Sequence, residues 1–252
     1  TEIYTLSLHD ALPILRERLA AHRIYFTDID LRWGVTRQQA EKDEVLELCL
    51  AEIDRCRPEA SDTRPYFLGL LGERYGWLPN RVNPETLQRY SWVQDYSGSS
   101  ITALEIVYGV LLNPPMKGQS FFYLRDPALL DEVPVEALPL LRDEEPAARA
   151  KLAVLKERLR ESGFPLMEGY TAHWAGFRLE WRLVAPLLST AQLEGLEAFA
   201  RDGTISPAEW QALPAALRSP LLEHGSLLFS GLEEFGKRVE DDLWSAISAR
   251  YP

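Results

Sequence analysis

The chain has 252 residues, of which 46% are hydrophobic and 26% charged, ordinary values for a globular protein long enough to bury a full core. Its net charge of −11 works against phosphate backbones, so nucleic acid is disfavoured as the main ligand. No apolar run approaches the ~18 residues of a membrane span, and no basic stretch leads into an apolar one as in a signal peptide.

Residues 1–14, TEIYTLSLHDALPI, read unlike the rest. They resemble translated sequencing-adapter read-through, so the expectation is a non-native segment standing where a first strand and its loop belong. Leu12, Leu15, Leu19 and Ala20 have helical spacing over 11–22. Arg23–Ile29 (RIYFTDI) is β-branched and aromatic, which predicts a strand. Gln38–Cys56 predicts an amphipathic helix with Val45, Leu46, Leu48, Cys49, Ile53 and Cys56 on one broad face. Cys49 and Cys56 are seven residues apart on it, so their Cα atoms would lie ~10.5 Å apart. A disulfide needs less than ~7 Å. Free thiols suit a reducing, cytoplasmic setting.

Tyr66–Leu71 (YFLGLL) is a short continuous apolar run of the kind a buried parallel strand needs. A polar loop over 79–99 follows. Thr102–Leu112 predicts a helix ended by Pro114-Pro115. Ser120–Leu124 (SFFYL) predicts the next strand. Ala147–Glu161 predicts a helix capped by Gly163, and Phe164–Tyr170 a further strand. Residues 174–228 interrupt the alternation with helical pieces at Thr190–Arg201 and Ala208–Leu217, and read as a helical insertion. Leu232–Ala249 is a closing amphipathic helix. The division expected is 1–14, an α/β domain over 15–173, the insertion over 174–228, and the domain's last helix within 229–252. Strands alternating with helices predict an α/β fold with a parallel sheet and helices on both faces.

Ligands of open parallel sheets bind beyond the carboxyl ends of the strands. There the sequence places Asp30, Arg32 and Trp33, then Glu73, Arg74, Tyr75 and Trp77, then Arg125, with Thr102 and Glu105 on the helix after the third loop. Arginines fork onto phosphate and tryptophans stack on bases, so this mixture suits a nucleotide. It equally suits a salt-bridged, aromatic-capped sheet edge. Glu105 has two readings. A carboxylate facing the crevice can stabilise a cationic ribosyl centre. Thr102-Ala103-Leu104-Glu105 also spells a capping box, in which Glu105 reaches back to a backbone N–H.

The four histidines, His9, His22, His173 and His224, are scattered and give no zinc spacing. Asp202-Gly203-Thr204-Ile205-Ser206 with Glu209 matches half of a calcium loop. Alanines Ala198 and Ala200 fall where its first ligands belong, so no metal is expected. No phosphate-binding GxxxxGK[ST] stretch occurs, so the chain carries no ATPase motif of its own.

The runs DIDLRWGVT (28–36), LELCLAEIDRCRP (46–58), GLLGERYGWLP (69–79), SSITALEI (99–106), FFYLRDP (121–127) and GLEEFGKRVEDDLW (231–244) resemble one family. It is the TIR-like domain group of telomerase-associated protein component one, nephrocystin three, NACHT and WD-repeat proteins, and bacterial relatives. The resemblance covers roughly 15–170 and 231–250. It implies a flavodoxin-like, TIR-like fold placed before a NACHT-type ATPase and a repeat array. It also implies signalling through self-association or partner recruitment. Some TIR domains cleave NAD with a glutamate on the helix after the third strand, and Glu105 matches that position within Ser100-x-Thr102-x-x-Glu105. A non-catalytic nucleotide sensor is the third reading. The family's opening strand and Ser-Ser-Thr-Phe loop are missing from 1–14, and the 174–228 insertion departs from the family's pattern.

Overall fold

The computed structural model describes residues 3–31, 44–57, 65–79, 81–199 and 203–251. Its principal elements, in chain order, are α1 (Ile3–Ala21), α2 (Val45–Cys56), β1 (Phe67–Leu71), α3 (Ile101–Ile106), β2 (Ser120–Arg125), α4 (Pro146–Glu161) and β3 (Leu166–Tyr170). They continue with β4 (His173–Arg178), α5 (Thr190–Phe199), β5 (Thr204–Ile205), α6 (Pro207–Ala212), α7 (Ala215–His224), β6 (Ser226–Ser230) and α8 (Glu233–Ser248).

Every residue of β2 is buried, because the strand is covered on both faces and paired on both sides. β1 pairs with it in parallel register from Phe67↔Ser120 to Leu71↔Leu124. β3 pairs on the other side, also parallel, from Phe122↔Leu166 onward. Side chains alternate across a sheet. Phe121 and Tyr123 therefore enter one core with Leu15 and Leu19 of α1 and Val239 and Leu243 of α8. Phe122 and Leu124 enter a second with Leu152, Leu155 and Leu159 of α4 and Ala103 and Ile106 of α3. A third cluster joins α2, through Leu46, Cys49, Leu50 and Ile53, to Ile101 and Leu104 of α3. The architecture is mixed α/β, a three-stranded parallel sheet flanked by helices, consistent with a flavodoxin-like fold. Consecutive order β1-β2-β3 matches the 3-4-5 half of the doubly wound order 2-1-3-4-5.

The expected strand at 23–29 does not form. Residues 24–30 run without strand pairing, with Tyr25 98% exposed. Ile24 and Phe26 still turn onto the first core, so the alternation that suggested a strand is real. The extended run has no ladder partner among the described residues. Its first amide instead closes α1: the Ile24 N–H donates to Leu19 O at 3.0 Å, with Arg23 at φ 60 in the left-handed turn. α1 itself spans the residues expected as helix and most of the 1–14 segment.

The helices expected within 174–228 form, and so does a sheet that the sequence reading left out. β4 pairs antiparallel with β5 and with β6, in the order β5-β4-β6. The predicted Ala208–Leu217 helix is two helices, α6 and α7, because Leu213-Pro214 breaks it. The region packs into the sheet's first core. Trp174, Phe177, Ile205, Trp210 and Leu221 belong to the same core as Tyr123.

Candidate functional site

β1 ends at Leu71, and the chain beyond it is held by side chains from two later segments. The Tyr75 N–H donates to Asp143 Oδ2 at 2.6 Å, and Arg74 Nε lies 3.8 Å from Asp143 Oδ1. The Ser100 hydroxyl donates to Tyr75 O at 2.6 Å, and the Ile101 N–H donates to Trp77 O at 3.0 Å. These bonds set the start of α3 at the carboxyl end of β1. Tyr75 is buried, Trp77 is 41% exposed, and Thr102 is exposed.

Ser100, two residues ahead of Thr102, caps α3 by accepting from the Ala103 N–H at 3.2 Å. The capping box read from Thr102 and Glu105 is thereby displaced: Glu105 lies beyond the helix's first turn, where no cap position remains. Its half-buried carboxylate lies against α2 instead, beside the Cys49 thiol. Burial first, and then Glu105, push the Cys49 thiol far above its ordinary range. The same sulfur lies 3.6 Å from Leu31 O, so Glu105, Cys49 and the residue preceding Arg32 converge. Directly after Ile106 the helix widens into a π-turn over Val107–Leu111, a feature often found near functional sites.

A cavity of about 400 Å³ opens at the carboxyl ends of β2 and β3. Its lining includes Glu73, Arg125, Lys156, Arg160, Glu168 and Gly169. Lys156 Nζ lies 2.7 Å from Glu73 Oε1. Arg160 forks onto Glu168 at 2.8 and 3.0 Å, which holds the Glu168 carboxyl below its usual value. Arg125 is 3% exposed, and its Nε and Nη2 find no partner among the described residues.

The sequence-derived candidates thus divide. Glu73 and Arg125 share the cavity. Arg74 and Tyr75 turn to Asp143. Trp77 and Thr102 are exposed near the start of α3, and Glu105 faces Cys49. Asp30 is half-buried and engaged; Arg32 and Trp33 lie outside the described residues. Sequence reasoning missed Lys156, Arg160 and Glu168. The available signal was the i, i+4 cation pair on α4, which reads equally well as a solvated face. Among the described residues no group of three or more His, Cys, Asp or Glu is placed to hold a metal ion, and no helix is long and apolar enough to cross a membrane.

Comparison with known proteins adds descent to this geometry. Rat telomerase protein component 1 is 28% identical over 251 residues, 98% of this chain but 8% of that protein. The chain is homologous to telomerase protein component 1. Human NACHT domain- and WD repeat-containing protein 1 is 26% identical over 201 residues, 76% of this chain and 12% of the relative. A TPR repeat-containing protein of Dictyostelium discoideum is 33% identical over 170 residues, covering 62% of this chain and 10% of its own length. Residues 14–133 match the family described as a domain of unknown function, DUF4062. No solved structure matches. The chain therefore corresponds to one region of much longer, multi-domain relatives.

Proposed function

We propose that this chain is a TIR-like signalling module of a larger NACHT-type ATPase, acting by self-association or partner recruitment. The observation that carries the reading is the engagement of Glu105. Its carboxylate sits beside the Cys49 thiol on a neighbouring helix, and it does not line the cavity that holds Arg125. A module of this kind offers surfaces rather than chemistry, and Trp77 and Leu78 are adjacent, exposed apolar side chains beside the start of α3. Relatives named for NACHT domains, WD repeats and TPR repeats support a setting in which an attached assembly brings copies together. The free thiols Cys49 and Cys56 support a reducing, cytoplasmic location.

The position of Glu105 beside Cys49, whose thiol meets Leu31 O, favours a second reading. In it Glu105 is the carboxylate of an NAD glycohydrolase, opposing the positive charge that develops on the ribose as nicotinamide leaves. One pair of measurements separates the two. Sedimentation velocity over a concentration series is expected to show self-association that Trp77→Asp disperses, with no nicotinamide released from NAD. A monomer at every concentration, with NAD turnover that Glu105→Gln abolishes, would install the enzyme reading instead.

A further inference from the structure

We propose that Arg125 is the anchor of a binding site for a phosphoryl group, at the carboxyl edge of β2 and β3. The inference is independent of Glu105 and of self-association.

Arg125 is a buried cation with two unpartnered nitrogens. Arg125 is the last residue of β2, and its side chain is 97% buried by the complement of its 3% exposure. A buried guanidinium without hydrogen bonds is strongly disfavoured, and such groups are almost always paired. Each carboxylate around the cavity is already engaged elsewhere. Glu73 holds Lys156, Glu168 holds Arg160, and Asp126 Oδ1 accepts from the Ala128 N–H at 2.9 Å. The two atoms left without partners, Nε and Nη2, are the two ends of one edge of the guanidinium. That edge presents two parallel N–H donors, the fork that matches two oxygens of a phosphoryl or carboxylate group.

The surrounding backbone is shaped to hold this fork. A Cβ on Gly72 would stand 2.8, 2.9 and 3.1 Å from Arg125 Nη2, Cζ and Nη1. Near-equal distances put Gly72 under the flat face of the guanidinium. Gly72 does not adopt a left-handed φ, so its missing side chain serves space rather than backbone conformation. Opposite, the ladder shifts between Leu124 and Arg125 as β3 passes Gly169, which has φ 73 and nothing within 4 Å of a notional Cβ. There the glycine serves conformation: it allows the bulge that offsets Arg125 from its neighbour.

A phosphoryl group fits better than a carboxylate. The fork uses both oxygens of a carboxylate, whereas a phosphoryl group keeps a further oxygen for Lys156, which lines the same cavity. About 400 Å³ also leaves room for an organic body.

The test uses the 252-residue chain with inorganic phosphate and AMP as probes, against chloride at matched ionic strength. Thermal melts and calorimetric titration are the readouts. Both probes are expected to raise the melting temperature of the wild type. Arg125→Met and Arg125→Lys are expected to weaken binding about tenfold or more, the second because it keeps charge but loses the fork. Gly72→Ala, which displaces the guanidinium, is expected to weaken it as well. Without ligand, Arg125→Met is expected to melt no lower than wild type, since it removes two unpartnered buried donors; a purely structural arginine would give a lower melt. Tighter binding of AMP than of phosphate assigns a phosphate ester, and equal binding assigns the free ion; both support the site. No response of the wild type to either probe, or equal binding by Arg125→Met, overturns it. Stabilisation by citrate but not by phosphate overturns the ligand class.

Discussion

Cys49 shows how one side chain ties a candidate site to stability. Its thiol is raised by burial and by Glu105, and the Tyr90 and Tyr123 hydroxyls are raised by burial together with Asp54 and Asp242 respectively. All three are neutral acids that the folded state keeps protonated. Ordinary values are 9.0 for the thiol and 10.0 for the phenols. Above those values the unfolded chain loses protons that the folded chain retains, so stability is fully present below pH 9 and falls as pH rises beyond it. Urea unfolding at neutral pH and at about pH 10.5 is expected to show a lower midpoint at the alkaline end. Phe at position 123 in place of Tyr should flatten part of that fall, and an unchanged midpoint across the range would contradict the assignment. Much of this residue-scale detail was invisible in the sequence. Glu105 was legible as a special carboxylate by its place after the third loop. Its partner Cys49 was legible only as an apolar helix position, because a spacing argument within one helix says nothing about the helix packed against it.

At the scale of elements, α3 carries the clearest lesson. The sequence spells a capping box from Thr102 to Glu105, yet a hydroxyl two residues earlier can cap as well. The structure selects Ser100 because its hydroxyl makes two bonds at once, accepting from the Ala103 N–H and donating to Tyr75 O. The second bond is tertiary, and no local rule anticipates it. Ser100→Ala is expected to cost about 1–2 kcal/mol, at the upper end for a cap because a buried carbonyl loses its donor as well. Equilibrium denaturation measures this directly, and Thr102→Ala, on an exposed side chain, is the control expected to change little. The predicted strand at 23–29 failed for a related reason. Ile24 and Phe26 face the core as a strand's would, but a strand exists only if a neighbour completes its ladder. By contrast β1 and β2 form where the sequence predicts strands, because the short apolar runs YFLGLL and SFFYL suit a parallel sheet covered by helices, β2 throughout and β1 in part.

At the scale of the whole molecule, residues 174–228 are part of the core that supports the sheet. The sequence reads as a helical insertion because its helices interrupt the βα alternation and its strands are short; β5 has two residues. Its aromatic side chains join it to the sheet's core. Trp210 is 1% exposed and stacks on Phe177 with ring centroids 4.6 Å apart. Trp174 meets both rings edge-on. This cluster is continuous with Tyr123 of β2 and with Phe235 of α8, whose ring stacks on Tyr170 at 4.2 Å. A shared core makes the two regions a single cooperative unit, since neither can open without exposing the other's apolar surface. Trp210→Ala removes the largest fully buried side chain and is expected to cost about 3–5 kcal/mol. Its consequence should reach the parallel sheet as well as the inserted region. Monitored by hydrogen exchange, β2 amides such as those of Phe122 and Tyr123 should lose protection in step with those of β4. Urea unfolding should remain one transition with a lower midpoint and an unchanged slope. Two separate transitions, with β2 protection intact while β4 exchanges freely, would show instead that the inserted region folds as an independent unit docked on the sheet.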